Sequence, residues 1–259
     1  MSASGIMIVT GGSRGIGAAT ALLAAKNGWS VAVNYTANSL AADEVVRQIR
    51  SAGGHAIAVQ ADVADEAQVM RMYEHIDAKM GRLSGLVNNA GVNDRVGLSA
   101  GPAAFSASLE RNLVHYYTMA HFIVPHLIKT QGAIVNVASK TALTGQGDTS
   151  GYCAAKGGQL ALTREWAISL AAHNIRVNAV LPAEVMTTMY ADWIATFDNP
   201  EEKQAAIESK IPLGQRMSTP TEIANTIVFL LSSAASHTTG QWVHVDGGYV
   251  HLDRAYSTR

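Results

Sequence analysis

The sequence predicts an α/β fold in one domain: a doubly wound, seven-stranded parallel sheet with helices on both faces. Three observations carry that expectation. Short β-branched runs alternate with longer helical patterns from end to end, which is how parallel strands joined by crossover helices read. A glycine-rich turn follows the first strand candidate and opens the first helix. No Pro/Gly/Ser linker, low-complexity tract or repeat of roughly 20–50 residues divides the 259 residues, and α/β chains of about this length are commonly one domain.

In chain order, the first strand is expected at Ile6 to Thr10 and the first helix at Gly15 to Asn27. Val31 to Tyr35 and Ala56 to Gln60 read as the next two strands, followed by helices at Ser39 to Ala52 and Glu66 to Met80 respectively. The short apolar run Gly85 to Asn88 leads into a long helix at Ala103 to Lys129, and Ala133 to Ala138 into a helix at Gly151 to His173. Ile175 to Ala179, a helix at Thr221 to Ser232 and Trp242 to Val245 complete the alternation. The stretch 187–212 breaks it, is rich in Met, Tyr, Trp and Phe, and follows a strand end, where such sheets place their ligand crevice. It is expected to form a substrate lid, with 249–259 a C-terminal tail packed near a neighbouring subunit.

Composition limits the function. With 19 basic and 20 acidic side chains the formal charge is −1, which excludes a nucleic-acid footprint built on global charge. Charged residues make up 15% of the chain where about 25% is usual, and 48% are hydrophobic, so a large core and extensive subunit interfaces are expected. One cysteine excludes an intramolecular disulfide. The start has no basic region of a signal peptide, and no apolar run reaches the roughly 20 residues of a membrane span. The expectation is a soluble, cytoplasmic, oligomeric protein.

The turn T-G-G-S-R-G-I-G places Gly11, Gly15 and Gly17 where side chains would block the tight turn, the approach of backbone N–H groups to a pyrophosphate, or helix-on-strand packing. An acid at the end of the second strand would accept from ribose hydroxyls and repel a 2′-phosphate. Asn34 and Tyr35 stand there instead, and Arg14 can reach a 2′-phosphate, so NADP(H) is favoured over NAD(H). Tyr152 and Lys156 share one helix face, about 5–6 Å apart at Cβ. A tyrosine of pKa about 10 is a poor base at neutral pH, and a neighbouring cation favours its phenolate. Ser139 ends a buried strand upstream, and Asn88 to Gly91 ends another.

Together with Asp62-Val63, Asn112, Pro182, Thr187 and Asp246-Gly247-Gly248, these motifs make the chain resemble the short-chain dehydrogenase/reductase family over nearly its whole length. The resemblance implies a Rossmann-type fold and a homotetramer built on the helix Gly151 to His173 and the sheet edge near Trp242. Tyr152 is implied as general acid/base, and Ser139 as the hydrogen-bond partner of the reacting oxygen. Lys156 would lower the tyrosine pKa and hold the nicotinamide ribose, while Asn112 would anchor a water relaying protons from that lysine. The turn residues Gly11, Ser13, Arg14, Gly15, Ile16 and Gly17 would cradle the dinucleotide, with Asp62 and Val63 at the adenine. Asn89, Ala90 and Gly91 would line the ribose, and Pro182, Val185 and Thr187 would meet the nicotinamide. One departure stands out: the family usually has Pro-Gly after the sixth strand, and this chain has Pro182-Ala183-Glu184.

From about Gly91 onward the chain looks like bacterial L-fucose dehydrogenases and related aldose 1-dehydrogenases. The stretches G-V-N-D, S-K-T-A-L-T-G-Q-G and L-P-A-E-V-M-T carry that likeness. Before Gly91 it looks more like glucose-dehydrogenase-type or ketoacyl-reductase-type members. The loops expected around the nicotinamide are polar, which suits a small polar substrate such as a sugar better than an acyl chain. Asn93, Lys140, Gln146 and Glu184 are the candidate sugar contacts, with Asp94 and Arg95 nearby and Trp193 as an apolar wall. The expected reaction is oxidation of an anomeric hydroxyl to the lactone. Two alternatives remain: an NADPH-dependent ketone or 3-oxoacyl reductase, and a non-catalytic dinucleotide sensor. No metal is expected, because the spacing of His115, His121 and His126 spreads them around a helix. Cys153 is expected to pack as a small side chain.

Overall fold

A computed structural model describes residues 5–252. Seven parallel strands run in the order β3-β2-β1-β4-β5-β6-β7. They are β1 (Gly5–Val9), β2 (Trp29–Tyr35), β3 (Ala56–Gln60), β4 (Gly85–Asn88), β5 (Ala133–Val137), β6 (Arg176–Pro182) and β7 (Trp242–Val245). The order reverses between β1 and β4, and the crevice outside the strand ends at such a switch point is where doubly wound sheets take ligands. Ten α-helices connect the strands: α1 (Gly15–Lys26), α2 (Ser39–Ser51), α3 (Glu66–Met80), α4 (Pro102–Leu109), α5 (His115–Thr130), α6 (Thr141–Thr144), α7 (Ser150–Ser169), α8 (Thr188–Ile194), α9 (Pro200–Glu208) and α10 (Pro220–Leu231).

Alternation along each strand divides the core into two layers. Met7, Val9, Val31 and Val33 pack with α1, α2 and α10, while Ile8 and Ala32, pointing the other way, pack with α3 and α5. The helices present matching stripes. Val45, Val46 and Ile49 of α2 and Val69, Met72, Tyr73 and Ile76 of α3 are buried at the spacing of one helical face. Strands covered on both sides read as continuous apolar runs, and β5 is buried at every position.

Two expectations change, and the 187–212 segment gains detail. The single helix at Ala103 to Lys129 is divided by a π-helical turn at Glu110–Val114, which shifts the phase of the residues on either side. Strand β6 continues past Ala179 to Pro182 because β7 pairs with it from Ala179 to Pro182. The segment 187–212 contains α8 and α9, which cover a small core of Ile194, Ile211 and Met217. The tail beyond Leu252 lies outside the described residues. Among those described, no helix is long and apolar enough to cross a membrane.

Candidate active site

The glycine turn is held from behind by two asparagines. Asn34, buried at the end of β2, accepts from the Gly11 N–H (3.3 Å) and donates to the Ala61 carbonyl (3.0 Å). Its polar atoms therefore brace the loop from behind. Asn89 donates to the Thr10 and Gly11 carbonyls at 2.9 and 3.3 Å. The Thr10 hydroxyl accepts from the backbone N–H groups of both Asn89 and Ala90 (2.9 and 3.0 Å), joining the ends of β1 and β4. A Cβ on Gly17 would lie 2.3 Å from the Gly11 carbonyl oxygen, so only glycine permits this closure. Helix α1 begins after Arg14 with no side-chain cap. Uncapped N–H groups at a helix start are donors for an anion, and the residues present thus fit a dinucleotide pyrophosphate. Ser13 and Ile16 flank the turn half-buried and Arg14 is exposed beside it. Tyr35 packs on the core at the end of β2. Asp62 is exposed, its carboxylate accepting from the Ala64 N–H, while Val63 is buried. Thr187, whose hydroxyl caps α8, approaches Gly15: a Cβ there would be 3.3 Å from its methyl group.

Across the switch point, β4, β5, α7 and the π-helical turn bring the four expected catalytic side chains together. Asn112 is buried in the π-helical turn, accepts from the Val92 N–H (2.8 Å) and donates to the Ser108 carbonyl (3.1 Å). Gly91 lies against both Asn112 and Lys156. Ser139 follows β5 and hydrogen-bonds the Tyr152 hydroxyl, which lowers the tyrosine pKa, but burial outweighs this and pushes it up to about 12. Lys156 is buried, 5.4 Å from the Tyr152 ring centre. Its ammonium donates to the Val137 carbonyl (2.8 Å), Gln159 Oε1 (3.2 Å) and the Tyr116 hydroxyl (3.4 Å). All three acceptors are neutral, and burial pushes the lysine down to about 7. Lys156 can therefore change protonation state near neutral pH, while the Tyr152 hydroxyl keeps its proton there. Cys153 points to the Thr149 hydroxyl, 3.4 Å away.

The mouth beside Ser139 is polar but internally paired. Lys140 and Glu184 form an ion pair with side chains only 9% and 15% exposed. The second Glu184 oxygen accepts from the Tyr190 hydroxyl of α8 at 2.7 Å, and the Lys140 ammonium sits 3.7 Å above the Tyr249 ring. Desolvation and the facing carboxylate push the Tyr190 hydroxyl well above its ordinary pKa. Asn93 and Gln146 touch at 3.4 Å. Asp94 is engaged by Arg111 (2.8 Å) and Ser108 (2.9 Å), while Arg95 is exposed. Trp193 packs edge-on against Tyr190 and Phe197 over the small core of the 187–212 segment. Val185 is buried just after Pro182, bridged to Ser218.

The family model described as enoyl-(acyl carrier protein) reductase matches residues 11–250. The chain belongs to the short-chain dehydrogenase/reductase family. It is similar to the uncharacterized oxidoreductase YgfF of Escherichia coli, 39% identical with 94% of this chain and 99% of that protein covered. The 3-oxoacyl-[acyl-carrier-protein] reductase FabG of Staphylococcus aureus is 35% identical, with 93% and 96% covered. The crystal structure of Cj0485 dehydrogenase superposes with a TM-score of 0.91 at 43% identity, covering 96% of this chain and 95% of that one. The protein is an NAD(P)-dependent oxidoreductase of this family, whose members act on small molecules and are commonly oligomeric.

In this dehydrogenase/reductase, sequence reading missed Thr10, Tyr116, Gln159 and Tyr190. Thr10 carried a signal: it is the strand-ending hydroxyl directly before the glycine turn. The other three lie on helices where a polar residue facing inward has no local mark. Among the described residues no group of three histidine, cysteine or acidic side chains is placed to hold a metal ion.

Proposed function

We propose that the protein oxidises the anomeric hydroxyl of an aldopyranose with the ring configuration of L-fucose to its lactone, with NADP+ in preference to NAD+. The observation that carries this reading is the Lys140–Glu184–Tyr190 network beside Ser139. The network lines the mouth with oriented polar groups whose remaining lone pairs and N–H bonds can meet a ligand with several hydroxyls. In the reaction Ser139 holds the anomeric oxygen, Tyr152 takes its proton, and the carbon gives up its hydride as the C=O bond of the lactone forms. The nicotinamide, when bound, supplies the hydride acceptor. Lys156 favours the Tyr152 phenolate by its charge. Glu184, Asn93 and Gln146 orient the ring hydroxyls, Trp193 stiffens the wall, and the 187–212 segment acts as a lid. The NADP preference rests on exposed Arg14 beside the turn and on the absence of an acid at the end of β2. A homotetramer through α7 and the β7 edge accords with Ile168 of α7 being 74% exposed in the single chain.

Initial rates with NADP+ and NAD+ against L-fucose, D-arabinose, L-galactose and D-glucose test the reading. Saturable turnover of the first three is expected. Its absence at millimolar concentrations rejects the sugar assignment. The relationship to the Staphylococcus reductase favours a second reading, NADPH-dependent reduction of a 3-oxoacyl or other ketone. Oxidation of NADPH by an acetoacetyl thioester, with no aldose activity, would establish it.

A further inference from the structure

Behind the catalytic lysine lies a side chain whose two polar ends are both engaged. Gln159, one turn beyond Lys156 on α7, is fully buried. Its Nε2 donates to the backbone carbonyl of Asn112 at 2.6 Å, and its Oε1 accepts from the Lys156 ammonium at 3.2 Å. The orientation of the amide is dictated by its neighbours, since an ammonium can only donate and a carbonyl can only accept. The backbone around it is equally fixed. A Cβ on Gly158 would stand 2.8 Å from Leu113, so glycine there lets α7 close on the π-helical turn and brings Gln159 within reach of Asn112. The Gln159 backbone carbonyl accepts from the Thr163 hydroxyl, which in turn accepts from Asn136 of β5, and Asn136 accepts from Asn88 of β4. These bonds tie the Gln159 backbone to the sheet, while its side chain separately reaches the lysine.

We propose that Gln159 is a positioning residue that holds the Lys156 ammonium beneath Tyr152 by bridging it to the Asn112 carbonyl. The titratable groups around the lysine are Tyr152 on its own helix and Tyr116 and His115 on α5. Burial and the nearby Lys156 push His115 down to about 3, so at neutral pH it adds no charge.

The inference rests on Lys156 as the cation of the dehydrogenase site and not on the substrate, so its test uses none. Protein labelled with [13Cε]lysine is titrated by NMR, with the Lys156 resonance assigned through Lys156→Arg. Gln159→Met preserves volume and removes the acceptor, and its Lys156 midpoint is expected about one pH unit below wild type, a tenfold loss of proton affinity. Gln159→Glu places a carboxylate beside the ammonium, and its midpoint is expected above wild type. A contribution to packing alone changes the melting temperature and leaves both midpoints where they were. Midpoints that coincide with wild type, or that move in the opposite directions, overturn the proposal. If Gln159→Met does not fold, the direction of the Gln159→Glu shift decides.

Discussion

Two lysines, on either side of the same catalytic pocket, are buried in opposite ways. Lys140 meets the carboxylate of Glu184 and the face of Tyr249, so its charge is cancelled where it stands. Lys156 meets only neutral oxygens, and its charge is left uncancelled. A compensated charge fixes geometry; an uncompensated one costs stability. The contrast separates a cation held by a carboxylate at the mouth from one held by neutral acceptors under Tyr152. Sequence spacing sets Lys156 apart through its pairing with Tyr152, but it does not show what surrounds either charge.

Exchanging the two environments exposes the difference. Tyr152→Phe and Lys156→Met are each expected to lower kcat about 10³-fold. Tyr152→Phe retains dinucleotide binding, and Lys156→Met raises Tm because a buried, uncompensated charge has gone. Initial rates and thermal melts check both. His115 sharpens the contrast from the acid side. The folded protein binds its proton only near pH 3, against about 6.5 when unfolded. The unfolded state holds the extra proton throughout that window, so stability is full above pH 6.5 and falls as pH drops through it, by on the order of 4 kcal/mol. His115→Leu should flatten the dependence of Tm on pH between 6.5 and 4. Glu184→Ala, which strands Lys140, should cost about 3 kcal/mol in stability by denaturant titration. Lys140→Met is expected to lower Tm as well, with less effect on kcat than Lys156→Met. The smallest effect is at the rim: Arg14→Ala should reduce the ratio of kcat/KM for NADP+ over NAD+ about tenfold, or about 1.4 kcal/mol.

The sheet was legible because strands covered on both faces must be apolar throughout and helices between them must carry stripes. β3, β4, β7 and α3 have the expected limits. The glycine turn and the Ser139, Tyr152 and Lys156 group were legible because their chemistry demands particular residue types at particular strand ends and helix spacings. Asn34 shows where that reasoning stops. Its position was read correctly, but whether an amide faces a ligand or ties down a loop depends on which backbone groups lie within 3 Å, and these come from β3 and the turn. Glu184 is similar. It stands out in the sequence, while its partners, Lys140 and Tyr190, come from the loop after β5 and from α8. Gln159 resembles any polar helix residue until α5 and β5 are brought against it.

The π-helical turn at Glu110–Val114 also divides the long connection between β4 and β5 by phase. One additional residue per turn rotates everything after it by about 100° relative to everything before it. Ser108 and Asn112 accordingly turn toward the pocket loop and α7, while Tyr116, Met119, Ile123 and Leu127 turn toward the sheet. The two halves behave as separate screws cut on one rod. Substitutions that retune the pocket side need not disturb the core side, whereas deleting a single residue between them would bring the threads back into step and turn Asn112 away from Lys156.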